Sequence, residues 1–188
     1  MNKTVIILAL AASLSTPAFA ADSYTIDSRH TFPSFELSHL GYSIQRGRFN
    51  TTSGKIVLDS AARSGSIDVT IDATSIDTGL AELEKHIRSD EFLDVEKFPT
   101  ITFKSTKLKF EGDKLVSADG DFTLHGVTKP VTLKLDHFHC APHPMMKKFN
   151  CGANATTTIK RSEFGVTKYV PAVGDEMKIT IQVEALRD

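Results

Sequence analysis

Apolar and polar residues alternate one for one along most of the chain. Ile67, Val69, Ile71 and Ala73 are interleaved with Asp68, Thr70 and Asp72. Phe35, Leu37 and His39 are interleaved with Ser34, Glu36 and Ser38. Val131, Leu133, Leu135 and His137 alternate with Thr132, Lys134 and Asp136, and the run Met177 to Ala185 does the same with Lys178, Thr180, Gln182 and Glu184. Shorter stretches recur at Ile101-Phe103, Leu108-Phe110, Phe122-Leu124 and Ala155-Ile159. A period of two marks strands with one dry and one wet face. It excludes a parallel α/β sheet, whose strands are buried on both faces and read as unbroken apolar runs. Turn-forming clusters at Thr52-Ser53-Gly54, Ala62-Arg63-Ser64-Gly65, Glu111-Gly112-Asp113 and His125-Gly126 separate the runs, which predicts an antiparallel meander of about eight strands or slightly more. One segment departs from the pattern. Between Asp77 and Ser89, Leu80, Leu83 and Ile87 follow helical spacing, with Glu82 and Glu84 early and Lys85 and Arg88 late. This predicts one short helix near residues 79–89, capped by Asp77 or Thr78. The alternation fits a closed barrel and a two-sheet sandwich equally, because both have one dry face.

The N-terminus adds a processing signal. Lys3 precedes an uncharged apolar run, Val5 to Leu14, and Ala18-Phe19-Ala20 has small-x-small form. These features predict a secretory signal peptide over residues 1–20, removed before Ala21. The run is too short to span a bilayer, which needs roughly 20 apolar residues, and nothing later reads as an integral membrane segment. No repeat or linker divides the remainder, so residues 21–188 are expected to form one domain. Lys3 is the single charge in the leader; without it the chain carries 21 basic and 23 acidic residues. That balance excludes the basic stripe of a nucleic-acid binder. The chain holds 12 Phe, three Tyr and no Trp, so its dry face is built largely from side chains without a polar handle. Cys140 and Cys151 are the two cysteines. In an exported protein such a pair reads as a disulfide closing a short loop.

Candidate chemistry is sparse. His137, His139 and His143 lie beside the cysteines and offer an alternative reading, a secreted metal-binding or stress protein, although their spacing matches no strong zinc pattern. No nucleophile elbow, phosphate loop or dinucleotide fingerprint is present, and the reading is of a binding protein without cofactor rather than an enzyme. The stretch His86 to Leu93 mixes polar and apolar residues in a way the strands avoid. It reads either as a plug closing one end of the sheet or as a gate, in which His86 and Arg88 hold a polar ligand head while Phe92 and Leu93 touch its apolar body.

Four motifs resemble one family in order along the chain. His39-Leu40-Gly41-Tyr42-Ser43, Lys85-His86-Ile87-Arg88-Ser89-Asp90-Glu91-Phe92-Leu93, Phe98-Pro99-Thr100-Ile101-Thr102-Phe103-Lys104-Ser105 and Gly120 to Val131 are similar to motifs of the YceI-like periplasmic polyisoprenoid-binding proteins. The resemblance implies an all-β, lipocalin-like antiparallel barrel, a periplasmic location, and an apolar cavity for an isoprenoid lipid or quinone-like ligand, held for transport or storage. It places ligand contacts at Phe35, Leu37, His39, Leu40, Tyr42, Ile44, His86, Arg88, Phe92 and Leu93. The Cys140 to Cys151 insert is not part of the family pattern and is expected to shape the cavity rim. A homodimer is a further expectation.

Overall fold

The computed structural model describes residues 21–188; the expected signal peptide lies outside them. The alternating runs form β1 (Asp22–Ile26), β2 (Phe32–His39), β3 (Ser43–Phe49), β4 (Thr52–Asp59), β5 (Ser64–Asp72), β6 (Ile76–Asp77), β7 (Thr100–Glu111), β8 (Lys114–Leu124), β9 (Val127–Pro142), β10 (Phe149–Lys160) and β11 (Glu176–Arg187), with the helix α1 (Ala81–Arg88) between β6 and β7. All pairings are antiparallel. Strand β1 bonds both to β4 and to β11, so β1, β4, β5, β7, β8, β9, β10 and β11 close an eight-stranded ring. The interior is therefore a barrel, not the space between two sheets.

The ring closes through a kink. Along one edge of β11, residues Ala185 to Arg187 pair with β1 while Lys178 to Gln182 pair with β2. Strands β1 and β2 are thus one path broken at residues 27–31. Asp27 holds the break: its carboxylate accepts from the Arg29 backbone N–H at 3.0 Å and from Nε at 3.2 Å, and sits 2.8 Å from His30 Nδ1. Hydroxyl Oγ1 of buried Thr31 donates to the Glu184 carbonyl at 3.3 Å, tying the far side of the kink to β11. Beyond the kink β2, β3 and β6 extend the wall at one end, the end that carries α1.

Three local features depart from the sequence expectations. Gly54 lies within β4, not in a turn. A Cβ there would meet the Asp68 carbonyl oxygen at 2.2 Å, so β5 approaches too closely for any side chain. The helix begins at Ala81 with Leu80 as its uncapped first residue. Asp77 is diverted to the Gly79 N–H and the Asn50 amide, and the Thr78 N–H donates to Glu84 instead. The third departure is in β9. Its register runs Asn154 opposite His137, then Ala155 opposite Leu135, which leaves Asp136 as the extra residue of a bulge. A one-residue slip inverts every later side chain. Phe138 and Cys140 therefore take over the inner face, and His137 and His139 turn outward. Cys140 and Cys151 are direct cross-strand neighbours joined by a disulfide. They lie within the strands, and the connecting turn is confined to residues 143–148.

The Asp27 side chain is 9% exposed. Burial raises its pKa, but the hydrogen bonds from His30 and Arg29 outweigh that and hold it at about 2. A depressed carboxylate contributes stability above its unfolded pKa and loses it as pH falls through the folded value. Thermal unfolding followed by circular dichroism is expected to show midpoints falling between about pH 4 and pH 2, with that part of the pH dependence missing in Asp27→Asn.

Candidate ligand-binding site

Closing an eight-stranded ring leaves an interior wide enough for side chains or one small ligand. Here the side chains do not fill it. A cavity of about 580 Å3 runs through the barrel, within the range of small-molecule sites. Met177, Ile179, Ile181, Val183 and Ala185, every second residue of β11, line its wall. Eight residue steps span roughly 27 Å of strand, which at the tilt of barrel strands is about 20 Å along the barrel axis. Facing walls present Ile67, Val69, Phe103, Phe122, Leu133 and Leu135. The far end is packed by Tyr24, Leu58, Cys151 and Ala185, with Phe110, Phe138 and Phe149 against them.

The near end is a mouth framed by α1, the residues that follow it, the hairpin tip between β2 and β3, and the 161–175 segment. His86, Phe92 and Tyr169 meet there: His86 lies 4.9 Å from Phe92 edge-on, and Tyr169 is 6.2 Å from His86 and 6.1 Å from Phe92 between ring centres. A polar chain backs these rings. Glu91 bonds His86 Nε2 at 2.6 Å and accepts from Lys168 Nζ. Hydrogen bonds from Lys168 first, and His86 second, hold the Glu91 carboxyl below its ordinary value. Arg161 organises the 161–175 segment from within. It is buried, and its guanidinium donates to the carbonyls of Gly174 (2.9 Å), Val166 (2.8 Å), Lys168 (2.8 Å) and Val173 (2.9 Å). Burial lowers its pKa, against the raising effect of Asp175.

Of the residues expected to contact ligand, Phe35, Leu37, His39, His86, Phe92 and Leu93 line the cavity, whereas Leu40, Tyr42, Ile44 and Arg88 do not. Each departure has a local cause. Leu40 and Gly41 both have positive φ, 53° and 73°, and the Tyr42 N–H donates to the His39 carbonyl. These mark a tight left-handed turn in the three-residue connection from His39 to Ser43, and the cavity wall ends at His39. Directly opposite residues share a face. Phe35, Leu37 and His39 pair with Gly47, Gln45 and Ser43, so Ile44, opposite Ser38, lies on the outer face. Gly47 leaves the room that the Phe35 ring occupies, since a Cβ there would come within 2.6 Å of it. Arg88 braces the helix instead. Its guanidinium donates to the Thr74 and Ile76 carbonyls at 3.1 and 3.4 Å and pairs with Glu84 at 3.7 Å. The His/Cys loop does not converge: the cysteines bond each other, His143 Nδ1 accepts from the Met145 and Met146 N–H groups, and among the described residues no three His, Cys, Asp or Glu side chains group to hold a metal ion. Tyr169, Lys168 and Arg161 were not singled out by the sequence, where they carry no periodic signal.

The family model of the YceI-like domain matches residues 24–185. The chain belongs to the YceI-like family. A UPF0312 protein of Pseudomonas aeruginosa is 40% identical over 194 residues, covering 100% of this chain and 99% of that one. One of Vibrio vulnificus is 38% identical over 188 residues, covering 97% and 96%. Among solved structures, Burkholderia cenocepacia BcnA has a TM-score of 0.72 at 23% identity, covering 85% of this chain and 98% of its own. The Campylobacter jejuni YceI protein has 0.69 at 23% identity, covering 98% and 99%. A polyisoprenoid binding domain from Saccharophagus degradans, implicated in plant cell wall breakdown, has 0.66 at 16% identity, covering 88% and 98%. These likenesses establish the YceI-like barrel fold.

In this YceI-like barrel Arg161 is the residue on which the mouth depends. Arg161→Met would leave four carbonyls without their donor. Hydrogen bonds to a charged group contribute about 1.5–3 kcal/mol each, with incomplete additivity. Urea unfolding is expected to show a loss of at least about 3 kcal/mol, with Arg161→Lys intermediate because an ammonium lacks the planar fork.

Proposed function

We propose that this protein holds one isoprenoid lipid, a polyprenyl chain or a quinone-type tail, inside the barrel and carries or stores it in the periplasm after export. The observation that carries the reading is the continuous apolar cavity, about 580 Å3 in volume, whose wall includes the half-exposed Leu80 and Tyr169 at the α1 end and the packed cluster at the disulfide end. Its length suits an extended chain better than a compact ligand. Each methylene moved out of water contributes about 0.8 kcal/mol, and micromolar affinity needs about 8 kcal/mol. A tail of some tens of carbons exceeds that after ordering losses. The polyisoprenoid-binding character of the Saccharophagus degradans relative supports the ligand class.

The chemistry is binding, not turnover. The tail enters first and occupies the inner faces of β7 to β11, and the head rests at the mouth against His86, Phe92 and Tyr169. Arg161 and Arg88 are committed to backbone carbonyls, and Lys168 to Glu91. The mouth therefore presents hydrogen-bonding rings rather than a free cation, and favours an uncharged head over a phosphate.

Organic extraction of protein purified from its native compartment, followed by mass spectrometry, is expected to give about one isoprenoid per chain. Ala153 lines the cavity, and Ala153→Phe is expected to lose the ligand while keeping the β-rich circular dichroism spectrum. An empty cavity, or a random mixture of fatty acids, would overturn the assignment.

A further inference from the structure

Leu40, Tyr42 and Ile44, which the cavity does not use, lie on the outside of its mouth. Tyr42 is 89% exposed, and Leu40, Ile44, Leu80 and Tyr169 are each about half exposed. These are five of the seven exposed large hydrophobic residues among those described; Met145 and Met146, in the turn between β9 and β10, are the others. The strand directions place that turn at the opposite, disulfide-bearing end. The mouth residues are linked by backbone contacts. The Leu40 N–H donates to the Ala172 carbonyl, Gly174 N–H donates to Ser38, and His39 bridges to Val173, which clamps the hairpin tip to the segment bearing Tyr169. Tyr169 in turn touches Phe92 and His86.

We propose that this rim is the surface by which the protein docks on a lipid bilayer to exchange its cargo. The inference rests on the lipid-binding reading above. Leu80 and Tyr169 are at once exposed at the rim and part of the cavity wall, so the apolar surface runs without a break from the outside into the barrel. A chain leaving a bilayer over those residues never exposes its length to water, the step that the hydrophobic effect opposes most. Tyrosine suits this position, with an apolar ring and a polar tip at the membrane interface. A second copy of the chain fits less well, since a stable protein interface uses about 20–30 residues a side and this rim offers five large apolar ones. Charge selects the kind of bilayer. Glu36 pairs with Arg46 and Lys178, Asp77 with Arg48, Glu84 with Arg88 and Glu91 with Lys168. Exposed Glu82, Lys85 and Asp90, on and just after α1, add one cation and two anions, so the rim has no cationic excess and docking does not require anionic lipid or depend on salt.

Flotation with phosphatidylcholine vesicles tests docking without any cargo. The protein is expected to float equally at low and high salt. The paired substitution Leu40→Asn and Tyr42→Ser, in which asparagine tolerates the positive φ of Leu40, is expected to lower the bound fraction at least tenfold. Transfer of a long-tailed neutral quinone from the same vesicles should accelerate with vesicle concentration in the wild type and slow at least tenfold in the variant. Its affinity for the quinone in solution should stay unchanged. Absence of flotation, or flotation and transfer indifferent to the substitutions, would overturn the proposal. A dimer in sedimentation equilibrium that the same substitutions split, with no flotation, would assign the rim to a second copy instead. Flotation without quinone uptake would remove the lipid-carrier reading and leave docking in place; uptake without flotation would remove docking alone.

Discussion

Closure of the ring at β1 is the constraint on which the rest of the molecule depends. With β1 bonded to β4 on one side and β11 on the other, no edge remains in that ring and every strand has a single interior face. That face must be apolar for the chain to fold. Because eight tilted strands fix the diameter, its side chains pack into a cluster towards each end and still leave a cavity between the walls. The cavity is thus a consequence of closure, and its apolar character a consequence of the same alternation that forms the strands.

The kink at residues 27–31 makes this closure compatible with a mouth. By splitting one path into β1 and β2, it lets β11 close the barrel near its C-terminus and still carry the β2–β3–β6 extension near its N-terminus. That extension brings Phe35, Leu37 and His39 to the upper wall, and β6 delivers the chain to α1. Arg88 then ties α1 back to the residues around β6, and Arg161 shapes the opposing segment. Two buried or half-buried guanidiniums therefore build the entrance while bonding mainly to backbone carbonyls.

The alternation made the strands, the single helix and the inner faces of β2, β5 and β11 legible, because period two follows directly from strand geometry. Barrel closure was not legible in the alternation, since a sandwich shows the same pattern, and the family resemblance supplied it. The bulge at Asp136 hid the inward turn of Phe138 and Cys140: one unpaired residue reverses the phase, and the sequence there still alternates. The family resemblance grouped Leu40, Tyr42 and Ile44 with the ligand contacts, but the turn after His39 and the cross-strand pairing keep them off the cavity wall. The mixed polarity around α1 drew attention to His86, Arg88, Phe92 and Leu93, of which His86, Phe92 and Leu93 line the cavity. Tyr169 and Arg161 carry no comparable signal, because a segment held by guanidinium–carbonyl bonds needs no pattern of its own.

The central claim, that the shaft of the barrel holds an extended apolar chain, is tested most directly by calorimetric titration with linear prenols of increasing length. Affinity is expected to strengthen by up to about 0.8 kcal/mol for each methylene buried, and to level off once the chain fills the roughly 20 Å interior. Affinity that ignores tail length, or that follows the head group alone, would contradict it.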